Sequence, residues 1–175
     1  MIESIITSKT RIKLLLKFFL NSQTKSYLRN LEQEFGESSN AIRIELNRLE
    51  EAGLLKSEVE GNRKLFSANV LHPLYNDINS ILRKITGIDS VVERVIRNIG
   101  NLENAYVTGE FARGIDSKVI ELLLVGNNLD SDYIKSLIDK AEELVNRKIH
   151  FLILTSEQMK NYFDKTPKLL IWKSE

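Results

Sequence analysis

Cysteine is missing from all 175 residues, and with it go disulfide frameworks, thiol nucleophiles and cysteine-based zinc sites; a reducing compartment is the simpler expectation. Histidine is nearly absent too. His72 precedes a proline and His150 lies inside a strand-like run, so the pair lacks the spacing of a metal site, and His150 reads as a structural residue. Neither charge sign dominates. With 25 Lys and Arg against 24 Asp and Glu the formal net charge is +1, and nothing global calls for a nucleic acid or an anionic membrane. Long apolar runs are lacking as well. The stretch IKLLLKFFL is too short to span a bilayer and is interrupted by Lys13 and Lys17, and no signal peptide is visible, so a cytoplasmic protein without a membrane partner is expected. No P-loop, dinucleotide fingerprint or Ser/His/Asp set can be argued, and no cofactor is expected.

What is present is an ordinary soluble composition, 42% hydrophobic and 28% charged, enough for one or two domains with their own cores. Any interaction driven by charge must therefore be local. Up to residue 70 the chain carries 11 Lys and Arg against 9 Asp and Glu, and after it 14 against 15, a weak basic tilt toward the N-terminal part.

The most informative stretch is 38–69, SSNAIRIELNRLEEAGLLKSEVEGNRKLFSAN. Ile42, Leu46 and Leu49 stand at i, i+4 and i+7, an apolar stripe that must pack on something. At about 100° per residue, Asn40, Arg43, Ile44 and Asn47 project from the other side, hydrogen-bonding groups together with one apolar contact. Ser38 or Ser39 can cap this helix and Gly53 ends it. Strand-length runs at 54–59 and 64–69 then flank Glu60-Gly61-Asn62-Arg63, which predicts a hairpin with Arg63 and Lys64 at a basic tip. Upstream, YLRNLEQEF predicts a short helix with Leu28, Leu31 and Phe35 inward. Before it, 8–20 predicts a core helix through Ile12, Leu15, Leu16 and Phe19; Phe18 and Leu20 lie off that stripe and are free to meet a second subunit or the next domain.

Helix, turn, helix and hairpin follow in that order over 11–69, and this region resembles the winged helix-turn-helix domains of ArsR- and MarR-type bacterial regulators; LNRLEEAGLL is close to their usual L..L...GL(I/V) pattern. The resemblance implies double-stranded DNA as partner, with the second helix in the major groove and the wing on the backbone. The residues placed there are Ser39, Asn40, Arg43, Ile44, Asn47, Arg63 and Lys64.

Beyond the hairpin, Pro73 opens a helix lined by Leu74, Ile78, Ile81, Leu82 and Ile85. Gly87 stops it, and Asp89 or Ser90 can cap another, with Val91, Val92, Val95, Ile96 and Ile99 apolar. Stripes this apolar predict core or a dimer seam, so a homodimer is expected. From Ala105 the period changes. AYVTG, VIELLLVG, KIHFLIL and LLIW read as strands, with GEFARG a turn and SDYIKSLIDKAEELVNR and SEQMKNYF helices, which predicts a sheet domain. In the longer helix Ile134, Leu137, Ile138, Ala141 and Leu144 form the expected packed face. VIELLLVG reads as a central strand buried on both faces.

The block TGEFARGIDSKVIELLLVG, 108–126, resembles the core of minimal nucleotidyltransferases of the polymerase-beta type, and the likeness continues through AEELVNRKIHFLILTSEQM and, upstream, HPLYNDINSILRKITGI. Gly109, Phe111, Ala112, Arg113 and Gly114 fit the pattern, but Glu110 stands where that family has a phosphate-contacting serine, and its two metal-holding aspartates fall on Val119 and Glu121. Two-metal phosphoryl chemistry needs clustered hard oxygen ligands, and valine offers none. The reading is therefore an α+β protein of three parts. Residues 1–70 form a winged helix-turn-helix, 71–100 a helical connector, and 101–175 a catalytically degenerate nucleotidyltransferase-like domain with a mixed sheet. It is expected to be a DNA-binding transcriptional regulator and not an enzyme, with the vestigial site open to a nucleotide-like effector. The alternative is a nucleotide-binding or nucleotidyl-transferring, antitoxin-like protein.

Overall fold

The computed structural model describes residues 6–163 and 166–174 and has a mixed α+β fold in two compact units. One unit runs to Ile85 and includes Gly114–Asp116; the other comprises Thr86–Arg113 and continues from Ser117. The division falls inside the helical stretch between the hairpin and the second sheet. Among the described residues no helix is long and apolar enough to cross a membrane.

The first unit begins with α1 (Lys9–Phe19), capped by the Ser8 hydroxyl, which accepts from the Arg11 amide at 3.2 Å. Its stripe Ile12, Leu15, Leu16 and Phe19 is buried, and so are Leu14, Phe18 and Leu20, so α1 is covered on more sides than its periodicity alone requires. Tyr27, expected to begin the next helix, lies outside it, and residues 25–27 are a strand. They form β1 (Lys25–Tyr27), because Tyr27 is extended and its neighbours gain ladder partners on a strand far along the chain. The helix α2 (Leu28–Phe35) follows and ends at Gly36, whose φ of +63° only glycine adopts at no steric cost. Leu31 and Phe35 are buried as expected, Leu28 only half so.

The helix α3 (Ser39–Glu51) buries Ile42, Leu46 and Leu49, and the Ser38 hydroxyl caps it. Strands β2 (Leu55–Glu60) and β3 (Arg63–Ala68) pair antiparallel around Gly61-Asn62, and the sheet order is β1-β3-β2. The helix α4 (Tyr75–Thr86) closes the unit. Tyr75 stacks on Phe19 at 5.4 Å and the Asn79 amide donates to the Phe19 carbonyl at 2.5 Å.

Polar anchors fix α1 against α2 and α3. Lys17 reaches Glu34 at 2.6 Å, and Lys13 reaches Glu37 at 2.6 Å and the Phe35 carbonyl at 3.1 Å, which ties down the turn between α2 and α3. Glu45 is buried on the inner side of α3 and accepts from Ser8 at 2.9 Å and Arg11 at 2.8 Å, with Arg48 at 3.4 Å. Burial alone raises a carboxyl pKa; here the hydrogen bonds from Arg11 and Ser8 and the nearby cations outweigh it and hold Glu45 below the ordinary carboxylate value.

In the second unit, α5 (Ile88–Arg94) runs into a single 3-10 turn at Ile96–Asn98, and Val91, Val92, Val95, Ile96 and Ile99 are all buried. Gly87, in the left-handed region at φ +84°, starts α5 in place of the expected Asp89 or Ser90 cap. The sheet contains β4 (Leu102–Thr108), β5 (Val119–Gly126), β6 (Lys148–Leu154) and β7 (Leu169–Lys173) in the order β6-β5-β4-β7. It is mixed: β5 and β6 are parallel, while β4 is antiparallel to both β5 and β7. The parallel pair is joined by the crossover helix α7 (Ser131–Val145), capped by Asp130. Expected turn GEFARG contains one helical turn, α6 (Gly109–Ala112), and α8 (Ser156–Phe163) precedes β7.

Two further expectations for this unit fail. Leu144 is exposed, because the packed stripe of α7 runs Ile134, Ile138, Ala141 and on to Val145, which lies against Gly87. And β5, though central, is buried on both faces only from Leu122 onward: Glu121 is exposed and Val119 half-exposed.

Replacing Glu45 by Ala leaves Arg11 and Ser8 without their acceptor and is expected to cost about 1–3 kcal/mol at neutral pH. Because the Glu45 pKa is depressed in the folded state, its contribution is full above the unfolded value of about 4.3 and is lost as pH falls through the lower folded value. Urea titrations from pH 7 to pH 3 should show the gap between wild type and Glu45→Ala narrowing; a gap independent of pH contradicts the assignment.

Candidate nucleic-acid interface

With Ile42, Glu45, Leu46 and Leu49 turned inward, α3 presents the remaining arc outward. Asn40, Arg43, Ile44 and Asn47 are all exposed on it, Ile44 at 43%, and Ser39 is half-buried at its first turn. All five predicted residues thus belong to one helix, and the four exposed ones share one side of it. The hairpin stands beside them. Among its turn residues only Gly61 has positive φ, +63°, as a two-residue turn with glycine first requires.

The two predicted hairpin cations have different surroundings. The Arg63 guanidinium lies over the Tyr27 ring at 4.6 Å, and the Tyr27 hydroxyl donates to Glu60. That hydrogen bond raises the Tyr27 pKa, with lesser effects from burial and the Glu60 charge. Lys64 instead pairs with Glu50 at 3.1 Å, and Glu50 also accepts from Ser57, so the end of α3 is pinned to both strands of the hairpin. The Ser57 hydrogen bond, opposed by burial and aided by Lys64, holds the Glu50 pKa below its ordinary value.

Between α2, α3 and the hairpin lies a concavity of about 530 Å³. Arg29, Arg43, Asn47, Asn62, Arg63 and Lys64 line it, with Glu32 the one acid. An overall charge near zero thus conceals a locally basic groove with hydrogen-bonding amides, of the kind that phosphate oxygens and base edges demand. Arg29 and Tyr27 were not singled out from the sequence. They reach the groove because β1 pairs with β3, a contact between residues about 40 apart, and no local spacing signals it.

The residues of the second candidate site are only partly brought together. Gly109, at φ +64°, faces Glu121 so closely that a Cβ there would lie 2.3 Å from its Oε1. Thr108, Glu121 and His150 are side by side in register across β4, β5 and β6, and with Leu123 and Leu152 they border a cavity of about 180 Å³. Glu110 and Arg113 are exposed, Val119 is half-exposed, and the Arg147 guanidinium lies over the Phe111 ring at 5.2 Å. Gly114 has another role. It belongs to the first unit, where a Cβ would fall 1.8 Å from the Cα of Lys17, so glycine is required there by close backbone approach. His150, read as merely structural, is an exposed member of the polar row, an adjacency set by the parallel register of β5 and β6.

No family model matches this chain, and no curated protein matches it. Among solved structures the chain is similar to the protein AF1382 from Archaeoglobus fulgidus, at 15% identity over 53% of this chain and 98% of that one, with a TM-score of 0.39. It is also similar to a putative nucleotidyltransferase from Sulfolobus solfataricus, at 24% identity over 55% of this chain and 86% of that one, with a TM-score of 0.34. Neither likeness is close enough to assign an activity.

The Gly109 geometry makes a prediction of its own. Gly109→Ala should destabilise the chain by about 1–2 kcal/mol through its left-handed backbone. Since the Glu121 carboxyl can swing aside, Gly109→Ala combined with Glu121→Ala should remain destabilised to nearly the same extent in urea titrations. Full recovery in the double variant would assign the cost to the side-chain clash instead.

Proposed function

We propose that the first unit is a winged helix-turn-helix that binds double-stranded DNA, with α3 entering the major groove and the β2–β3 hairpin as the wing, and that the protein is a transcriptional regulator. The observation that carries this reading is the convergence of Arg29, Arg43, Asn47 and Arg63 on one concave surface in a chain with no general excess of positive charge. In this assignment Arg43 and Asn47 have the donor and acceptor sets that guanine and adenine edges match, and Ile44 the apolar surface that fits a thymine methyl. Arg63 serves as a phosphate contact, and Lys64 becomes one only when it leaves Glu50. The second unit, in the same proposal, is a nucleotidyltransferase-like module without transfer chemistry. It holds a nucleotide-like effector, or a partner protein, near Gly109, Arg113 and Glu121.

A second reading places the function in the second unit, as a nucleotide-handling protein that the first unit merely localises. It is favoured by the Gly109 turn packed on Glu121, beside Thr108 and His150. Against it stands the carboxylate count in that row: Glu121 alone does not position both an attacking oxygen and a departing pyrophosphate.

Titration of labelled duplexes against the full chain tests the first reading. Arg43→Ala and Asn47→Ala are each expected to cost about 1–3 kcal/mol on a preferred duplex with little loss of fold stability, and Arg63→Ala should weaken all duplexes alike and lower the salt slope by about 1. Equal affinity of wild type and variants for every duplex contradicts it. Incubation with labelled nucleotide triphosphates and Mg²⁺ is expected to give no incorporation into the protein or an added partner; incorporation abolished by Glu121→Ala would move the function to the second unit.

A further inference from the structure

The three-stranded sheet of the first unit has one cross-strand row that neither reading above uses. Lys25 on β1 and Lys56 on β2 both stand in register with Ser67 on β3, the strand between them. Residues directly opposite share a face, so a hydroxyl lies between two ammonium-bearing side chains whose strands are about 10 Å apart, two strand spacings. The row borders a cavity of about 430 Å³ that lies wholly within the first unit. Ser22, beyond the end of α1, and Tyr75 and Asn76, the first residues of α4, border it too.

Ser67 is 6% exposed, yet its hydroxyl enters no hydrogen bond among the described residues, and the side left open faces the cavity. A polar group so far removed from water normally has a partner. The lysines have charge to spare as well. Lys56 is exposed and makes no ion pair with a described residue, while Lys25 reaches Glu58 only at 3.7 Å, with both side chains more than half exposed, a pair that water screens. Burial, against a hydrogen bond with Ser22, raises the Tyr75 pKa, so that hydroxyl keeps its proton at neutral pH. The positive end of the α4 dipole borders the same space. These groups all favour an anion, and two lysines match a terminal phosphoryl group, which carries nearly two charges, better than a phosphodiester or a carboxylate, which carries one. The cavity is larger than such a group needs and falls in the range of small-molecule sites, about 300 to 1,000 Å³. Ala68, Val70 and the Tyr75 ring supply apolar surface for the rest of a ligand.

We propose that this cavity binds a small phosphomonoester, its phosphoryl oxygens on Lys25, Ser67 and Lys56 and its organic part against Val70 and Tyr75. The site shares no residue with the basic groove, so it stands or falls without the DNA reading. The test is titration of the full chain, followed by amide NMR at slightly alkaline pH and fixed ionic strength, with phenyl phosphate, inorganic phosphate, dimethyl phosphate and phenol. Phenyl phosphate should bind saturably and shift the amides of residues 25, 56 and 67. Inorganic phosphate should bind the same residues about tenfold more weakly, and dimethyl phosphate, which has the single charge of a nucleic-acid linkage, and phenol should not saturate. Ser67→Ala and Lys56→Ala should each raise the dissociation constant for phenyl phosphate about tenfold, whereas Lys140→Ala, an exposed lysine of the second unit, should leave it unchanged. Because the Ser67 hydroxyl has no partner to lose, Ser67→Ala should unfold at the wild-type urea midpoint when no ligand is present. No saturable binding overturns the proposal, as does binding that Ser67→Ala and Lys56→Ala leave intact. Equal affinity for phenyl phosphate and inorganic phosphate would overturn the placing of an organic part on Val70 and Tyr75, and equal affinity for dimethyl phosphate would overturn the choice of a terminal phosphoryl group.

Discussion

Two buried or half-buried carboxylates on α3 set how that helix is turned, and the orientation of the proposed reading face depends on them. Glu45 accepts from Ser8 and Arg11 on α1, and Glu50 accepts from Ser57 and pairs with Lys64 on the hairpin. An unpartnered buried carboxylate costs several kcal/mol, so rotation of α3 that withdrew Glu45 from α1 would be opposed far more strongly than by loss of apolar contact alone. With the helix held at those points, Asn40, Arg43, Ile44 and Asn47 are left to solvent. Neutralising groups that α3 needs for its own packing are thus kept separate from those it presents outward. The same division of labour explains how a chain with net charge +1 carries a basic groove: many of its acids are consumed in internal pairs with α1 and the hairpin, while Arg43 and Arg63 border open space.

Much of this arrangement was legible in the sequence. The i, i+4, i+7 stripe of Ile42, Leu46 and Leu49 placed the inner face of α3, and simple helical geometry then placed the outer one. The hairpin was readable from its turn residues, with strands displaced by a single residue from the run boundaries. What could not be read were features set by partners far along the chain. The strand β1 is three residues long, too short for alternation to show, and exists because β3 supplies its hydrogen bonds. Arg29 and Tyr27 enter the groove through that pairing. Leu144 was misplaced because two apolar residues adjacent on α7 compete for one stripe, and contact with Gly87 selects Val145. The row of Thr108, Glu121 and His150 depends on strand order and register, neither of which a run of apolar residues specifies.

The second unit shows how a likeness in pattern and the chemistry of a site can part. The glycine turn after β4 and the acid on β5 are both present and touch. Yet the position two before that acid is Val119, and Gly114 is committed to close packing on Lys17, so the residues that resemble an active site do not all serve one.

The central claim, that α3 and the hairpin read duplex DNA, is tested most directly by selection of binding sequences from a random-sequence duplex pool with the full chain. The account predicts enrichment of a defined motif, and a change of preferred base at particular positions when the selection is repeated with Asn47 or Arg43 substituted. No enrichment over the starting pool, or the same motif from wild type and both variants, would contradict it.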